Sequence, residues 1–337
     1  MVKVDVPIPH DLKQVGQLAR KIETGGFAGI VTAETNHDPF LPLATAAQST
    51  TRVDLITSIA VAFARTPMSL AYIAHDLNYA ANGRFILGLG SQIQPHITKR
   101  FSMPWSRPAA RMREFILALR AIWCAWYEQE RLAFRGEFYR HSLMTPFFTP
   151  ENLEYGAPRV FLAAVGPLMT QVAAEVADGL IVHPFTTLEY LRTVTFPALE
   201  RGFEISGRSR DQFEISVQPL IATGHSEKEI ASEKLAVKQQ LAFYASTPAY
   251  KQVLDSVDLG NLQEQLNTLS KQGKWVEMGE LFSDEYLNHF AVVAEPQHVA
   301  TRLHTKFGDF ADRTSIYSKK LTPQDYYAIR KKLSKLA

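Results

Sequence analysis

Short apolar runs alternate with amphipathic stretches along most of the chain. Val2–Val6 reads as a strand. Leu12, Val15, Leu18 and Ile22 then recur at helical spacing, and Gly25-Gly26 ends that helix. Gly29–Thr32 predicts a second strand, followed by a loop with Asn36, Asp38 and Pro39 and a short helix over Pro42–Gln48. Asp54–Phe63 predicts one long third strand. Leu70, Ile73, Leu77 and Ala81 mark a helix closed by Asn82-Gly83, and Phe85–Leu89 a fourth strand. The clearest element is a helix from about Pro108 to Trp126, with Met112, Phe115, Ile116, Leu119, Ile122, Trp123 and Trp126 on one face. Arg131–Tyr139, with Gly136 at its middle, predicts a small hairpin. Arg159–Val165 is a fifth strand, Leu168–Ala177 a helix, Leu180–His183 a sixth strand, and Leu188–Ile205 a helix ended by Gly207. Phe213–Thr223 predicts a seventh strand and Ser315–Ser318 an eighth, before a Lys-rich C-terminal helix.

Eight strand–helix alternations argue for a (β/α)8 TIM barrel over an open doubly wound sheet. Residues 226–288 do not fit one unit. They are polar and helix-favouring, and read as a helical insertion between strands 7 and 8, within a single domain spanning 1–337. Length alone suggests two domains, but barrels of this size are the common exception. Lys and Arg minus Asp and Glu is 36 − 34 = +2, so no global field recruits nucleic acid or an anionic membrane. The lone Cys124 makes no internal disulfide and no cysteine-based zinc site. The N-terminal stretch lacks the apolar core of a signal peptide, and Leu55–Ala64 is too short to span a bilayer, so a soluble cytoplasmic protein is expected. Trp123 and Trp126 exceed what one barrel face needs. That predicts a two-fold dimer interface near their helix, unless the hairpin at 131–139 covers them.

Barrel active sites lie at the C-terminal ends of the strands. Glu34, Asn36, His37 and Asp38 follow strand two; Ser58, Ile59, Phe63 and Arg65 fall in and after strand three. Strand four leads into GLGSQIQPH, Gly88 to His96. Gly88-x-Gly90-x-x-Ile93 lacks the third glycine of a dinucleotide fingerprint, but its two glycines let something flat approach. AAVGPLM, Ala163 to Met169, puts Gly166 and Pro167 at a helix start, whose free N–H groups suit a phosphate or belong to a plain turn. Strand six ends near His183 and Phe185. The histidines show no metal-ligand spacing, so no metal is expected, and neither a GxSxG elbow nor a GxxxxGK[ST] loop occurs. Phe40, Phe63, Trp105 and Phe185 would make the mouth apolar.

Five segments in order, GFAGIVTAETNHDPFLPLA, LITSIAVAFARTPMSLA, NGRFILGLGSQIQPHI, RPAARMREFILALRAIW and VFLAAVGPLMTQVAAEVADGLIVHPF, resemble the luciferase-like flavin monooxygenase superfamily, in particular its branch using the deazaflavin F420. The resemblance implies a TIM barrel, a homodimer and a flavin-type cofactor at the strand ends: coenzyme F420, with FMN as the alternative. It maps that cofactor's phosphate-holding turn onto Ala164, Val165, Gly166 and Pro167 and puts Ser58 and Ile59 behind its ring, while Gly88, Gly90 and His183, at strand ends, are the further candidate cofactor contacts. A non-prolyl cis peptide is implied at Ser58–Ile59. The family's carboxylate after strand two maps onto Glu34 and its polar residue after strand four onto His96, which are the implied catalytic residues. Thr35 stands where the family often has histidine. Ile93 stands where some sugar-phosphate dehydrogenases of the branch carry a carboxylate, which argues against a sugar phosphate. The implied activity is hydride transfer between F420 and a small apolar organic substrate. The alternatives are an FMN-dependent monooxygenase fed by a flavin reductase, or a non-catalytic flavin-binding protein.

Overall fold

The computed structural model describes residues 2–336. Eight parallel strands close into a barrel: β1 (Lys3–Pro7), β2 (Gly29–Thr32), β3 (Asp54–Thr57), β4 (Phe85–Gly90), β5 (Arg159–Ala164), β6 (Gly179–Val182), β7 (Glu214–Val217) and β8 (Arg313–Ser315). β1 pairs with both β2 and β8, and the circuit is completed through β3 and β4. All pairings run the same way, so the strands' C-terminal ends share one mouth. Outside lie α1 (Leu12–Thr24), α2 (Phe40–Ala47), α3 (Pro67–Ala80), α4 (Pro108–Tyr127), α5 (Pro167–Val176), α6 (Phe196–Ser206), α7 (Glu227–Ala245), α8 (Pro296–Phe307) and α9 (Pro323–Leu336). Helix starts are chemically marked: Asp11 caps α1, Thr66 caps α3 ahead of Pro67, and Ser226 caps α7.

Side chains alternate along each strand, so one set fills the interior in layers. The lowest layer is ionic. Arg313, fully buried, donates to both oxygens of Asp5 at 2.9 Å, to Asp54 at 2.8 Å and to Glu214 at 3.2 Å. Lys3 and Arg159 each reach Glu214 at 2.9 Å. Above it Val31, Ile56, Ile86, Phe161 and Ile181 form a dry middle layer. The same alternation puts Ser58, Gly90, His183 and Gln218 at the mouth.

Several expectations are corrected. The predicted strand Asp54–Phe63 is interrupted: β3 stops at Thr57, Ala60–Val61 pairs again with Leu89–Gly90, and Ala62–Ala64 is a 3₁₀ turn. Phe213–Thr223 splits at Pro219, which has no N–H for the ladder. Leu220–Ala222 leaves the barrel and pairs in parallel with Ala291–Val293. The eighth strand begins at Arg313, earlier than the predicted Ser315. The helix predicted over Leu188–Ile205 is broken by a π-type turn at Leu191–Thr195, where Pro197 cannot donate back along the helix. The predicted hairpin is a two-residue pairing, Phe134–Arg135 with Arg140–His141, pinned by the Glu114 carboxylate.

Trp123 and Trp126 offer no outer surface. Both are buried; the Trp126 indole N–H faces Met144 sulfur, and its ring lies 4.8 Å from Tyr72. α3 and the loop carrying Met144 cover them. Residues 227–290 form helices that surround a second apolar cluster, with Leu241, Val253, Leu266 and Phe290 at its centre. No described helix is long and apolar enough to cross a membrane.

Candidate active site

Glu34, just past β2, is already engaged. Its Oε2 accepts from the Val61 N–H at 2.7 Å and from Arg65 Nη1 at 2.7 Å, while its own N–H donates to the Ile59 carbonyl at 3.0 Å. The side chain is only 8% exposed. Arg65 is held in turn by Asp38 at 3.4 Å and lies 5.1 Å over the Phe40 ring. Glu34 therefore grips residues 59–61 from both ends. His37 stacks on His10 at 5.1 Å.

The Ser58–Ile59 peptide is cis, as the resemblance implies. Thr57 Oγ1 locks the strand below it, donating to the Gly88 carbonyl at 2.8 Å and accepting from the Gly88 N–H at 2.9 Å. The Ser58 hydroxyl accepts from the Gln218 amide across the mouth. Gly90 makes room for Ile59: a Cβ there would sit 2.9 Å from its side chain. Gly88 is different. Its missing side chain is replaced by the Thr57 carbonyl and Ile181, so it is a packing position beneath the mouth.

His96 opens a π-type turn, His96–Arg100, in the loop after β4. Its ring has no hydrogen-bond partner among the described residues, and no hydrogen bond joins it to Glu34. The two loops meet elsewhere, where Arg100 donates to the Thr35 carbonyl.

At the end of β5, Gly166 is the N-cap of α5 and offers no capping side chain. The first helical N–H groups thus lack internal partners and carry the positive end of the helix dipole. A Cβ on Gly166 would meet nothing within 4 Å, so the approach to these groups is open. Open space, uncapped N–H groups and a positive dipole end fit a phosphate.

His183 sits beside this turn and lines a cleft with Val165, Phe185 and Tyr190. Its Nδ1 accepts from the Phe185 N–H at 3.0 Å. Tyr244 and Tyr250, from the helical segment, approach its ring at 4.9 and 5.1 Å. Burial lowers the His183 pKa to about 4 and pushes the Tyr190 and Tyr250 phenols up to about 12. The Tyr190 hydroxyl donates to the Val165 carbonyl at 3.1 Å, which steadies the turn.

The apolar mouth expected from four aromatics is smaller than predicted. Phe40, Phe63 and Phe185 are packed inside; Trp105 alone of the four is partly exposed, edge-on to Phe63 at 5.8 Å. Sequence reading does not single out Gln218, Tyr244 or Tyr250. Gln218 has a usable signal, since it shares a strand face with Glu214 and Ser216. The two tyrosines have none, because nothing local ties their helices to β6.

A family model described as luciferase-like monooxygenase matches residues 3–313. A Mycobacterium tuberculosis protein described as uncharacterized is 51% identical over 312 residues, covering 93% of this chain and 92% of that one. Among solved structures, a coenzyme F420-dependent tetrahydromethanopterin reductase from Methanopyrus kandleri superposes with a TM-score of 0.78 at 17% identity, over 99% of both chains. The oxygenating constituent of 3,6-diketocamphane monooxygenase from Pseudomonas putida, in complex with FMN, gives a TM-score of 0.66 at 14% identity, covering 99% of this chain and 98% of that one.

Proposed function

The chain belongs to the luciferase-like monooxygenase family, and from that premise we propose that it moves a hydride between coenzyme F420 and a small, apolar organic substrate. The observation that carries the reading is the open, uncapped start of α5 at Gly166, beside a mouth whose layer is small or uncharged. Ala164, Val165 and Gly166 would hold the cofactor phosphate, and Ser58, Ile59 and Gly90 the flat ring. When bound, F420 supplies a carbon-centred hydride donor where a flavin has nitrogen.

The chain's own residues do the rest. Glu34 and Arg65 fix residues 59–61, so the floor of the mouth keeps its shape. Gln218 donates to Ser58, leaving the serine hydroxyl proton available to a ligand. His96, without a partner and on a rim loop, exchanges the proton that must accompany the hydride. The working assembly is a homodimer, supported by the apolar outer patch of Leu143, Phe147 and Phe148, which are 74%, 89% and 57% exposed.

The test is turnover of a ketone panel with reduced F420, run anaerobically and in air. The reading expects oxygen-independent consumption of reduced F420, and a fall in kcat of ~10²–10⁴ for His96→Ala. Oxygen uptake with reduced FMN and none with F420 would instead identify a two-component monooxygenase that needs a flavin reductase.

A further inference from the structure

We propose that His183 and Tyr250 form a pair of uncharged hydrogen-bond donors that receives the oxygen of a neutral carbonyl substrate; this deepens, and rests on, the hydride-transfer reading. His183 closes β6 on the interior side of the barrel, because Ile181 two residues before it belongs to the interior layer. Its Nδ1 is occupied by the Phe185 N–H, so the proton of the neutral ring is on Nε2. Among the described residues, neither His183 Nε2 nor the Tyr250 hydroxyl has a hydrogen-bond partner, and neither is sealed away from solvent. The two rings lie 5.1 Å apart, with Tyr244 closing the other side at 4.9 Å. Neither donor is committed to a protein acceptor, so both can take an arriving one.

The surroundings select the acceptor. Tyr244 and Tyr250 supply aromatic walls, backed by the buried Phe185, which is stacked on Phe290 at 5.0 Å. Burial keeps the imidazole neutral and the phenol protonated across the ordinary pH range, so both donate and neither carries charge. A carboxylate would lose its water here without meeting a cation. A carbonyl oxygen loses little and gains two donors. During reduction the hydride bonds to the carbonyl carbon, the C=O π pair moves onto oxygen, and the two donors stabilise that growing charge. They keep their own protons, as a neutral imidazole does when it polarises a carbonyl. The oxygen takes its proton from His96 or from water at the mouth, so ketone, hydride and proton together give the alcohol.

The test uses ¹⁵N-histidine-labelled full-length protein titrated with cyclohexanone, methylcyclohexane or cyclohexanecarboxylate, and separately with FMN and F420. Cyclohexanone is expected to shift the His183 Nε2 resonance saturably, whereas the hydrocarbon and the carboxylate do not. Tyr250→Phe is expected to weaken the cyclohexanone titration about 5-fold or more, the loss of one neutral hydrogen bond, without changing F420 affinity. The proposal is overturned if methylcyclohexane shifts Nε2 as much, if cyclohexanone gives no saturable shift, or if either cofactor alone shifts Nε2 and abolishes the ketone response. A ketone shift that persists in a protein inactive with reduced F420 contradicts the hydride reading and leaves the donor pair standing. Turnover without the ketone shift refutes the pair alone.

Discussion

The two ends of the barrel are lined by the same strands and the same alternation, yet they treat charge in opposite ways. At the bottom, Arg313 meets Asp5, Asp54 and Glu214 at 2.8–3.2 Å. Burial opposes the Arg313 charge, but Asp5, Asp54 and Glu214 together hold its pKa above the ordinary value. At the mouth, Arg65 pairs with Glu34 and Asp38 and helps fix the backbone, and beside them lie a serine, a glutamine, a neutral histidine and tyrosines. Charges that neutralise each other make a plug. Uncharged donors without partners, next to an open helix start, leave groups free for a ligand.

Removing a member of the plug should have the largest effect. Arg313→Met leaves three carboxylates around a buried point and is expected to cost about 3–5 kcal/mol of folding stability, measured by denaturant unfolding. A smaller loss would mean that water reaches the bottom layer. Acid should then separate the two ends. An unfolded histidine binds a proton near pH 6.5, whereas His183 does so only near pH 4. The unfolded chain therefore gains its proton first, and stability falls as pH drops across that window, by at most about 3 kcal/mol. Glu214 is depressed below 4.5 despite burial, by Lys3, Arg313 and Arg159, so its contribution persists above 4.5 and is lost as pH falls through its folded pKa. In His183→Gln the loss between pH 6.5 and 4.5 should shrink while the loss below 4.5 remains; an unchanged profile would remove His183 from the titration. A smaller effect is expected for Glu34→Gln. The amide still accepts from Val61 but loses its charge toward Arg65, for about 1.5–3 kcal/mol, visible as a lower midpoint in thermal unfolding. A loss of ketone turnover at undiminished stability would instead support Glu34 as a catalytic carboxylate.

The same contrast explains what could be read in advance. Apolar periodicity located β2, β4, β5 and the long α4 because their buried residues are apolar. It missed the start of β8 because Arg313, fully buried, looks like a surface residue until Asp5, far away in sequence, is brought beside it. It ran β3 and β7 too long because Ser58–Ile59 and Pro219 interrupt ladders without changing hydrophobicity. The uncapped start of α5 was legible, since Gly166-Pro167 marks a helix start locally. Glu34 reads in the sequence as a candidate catalytic carboxylate, but nothing local announces that Arg65 and the Val61 N–H will bind it. Tyr250 was invisible for a different reason: its meeting with His183 is a product of helix packing alone.

The central claim is that the mouth at the C-terminal strand ends, and not the ionic end, receives the cofactor. Equilibrium titration of F420 into the wild type, Gly166→Glu and Arg313→Met tests it most directly. The glutamate would place a side chain and a negative charge before the uncapped N–H groups. It is expected to weaken F420 binding about 10-fold or more, ~1.4 kcal/mol, while the folded fraction of Arg313→Met binds as the wild type does. Equal F420 affinity in wild type and folded Gly166→Glu would contradict the account.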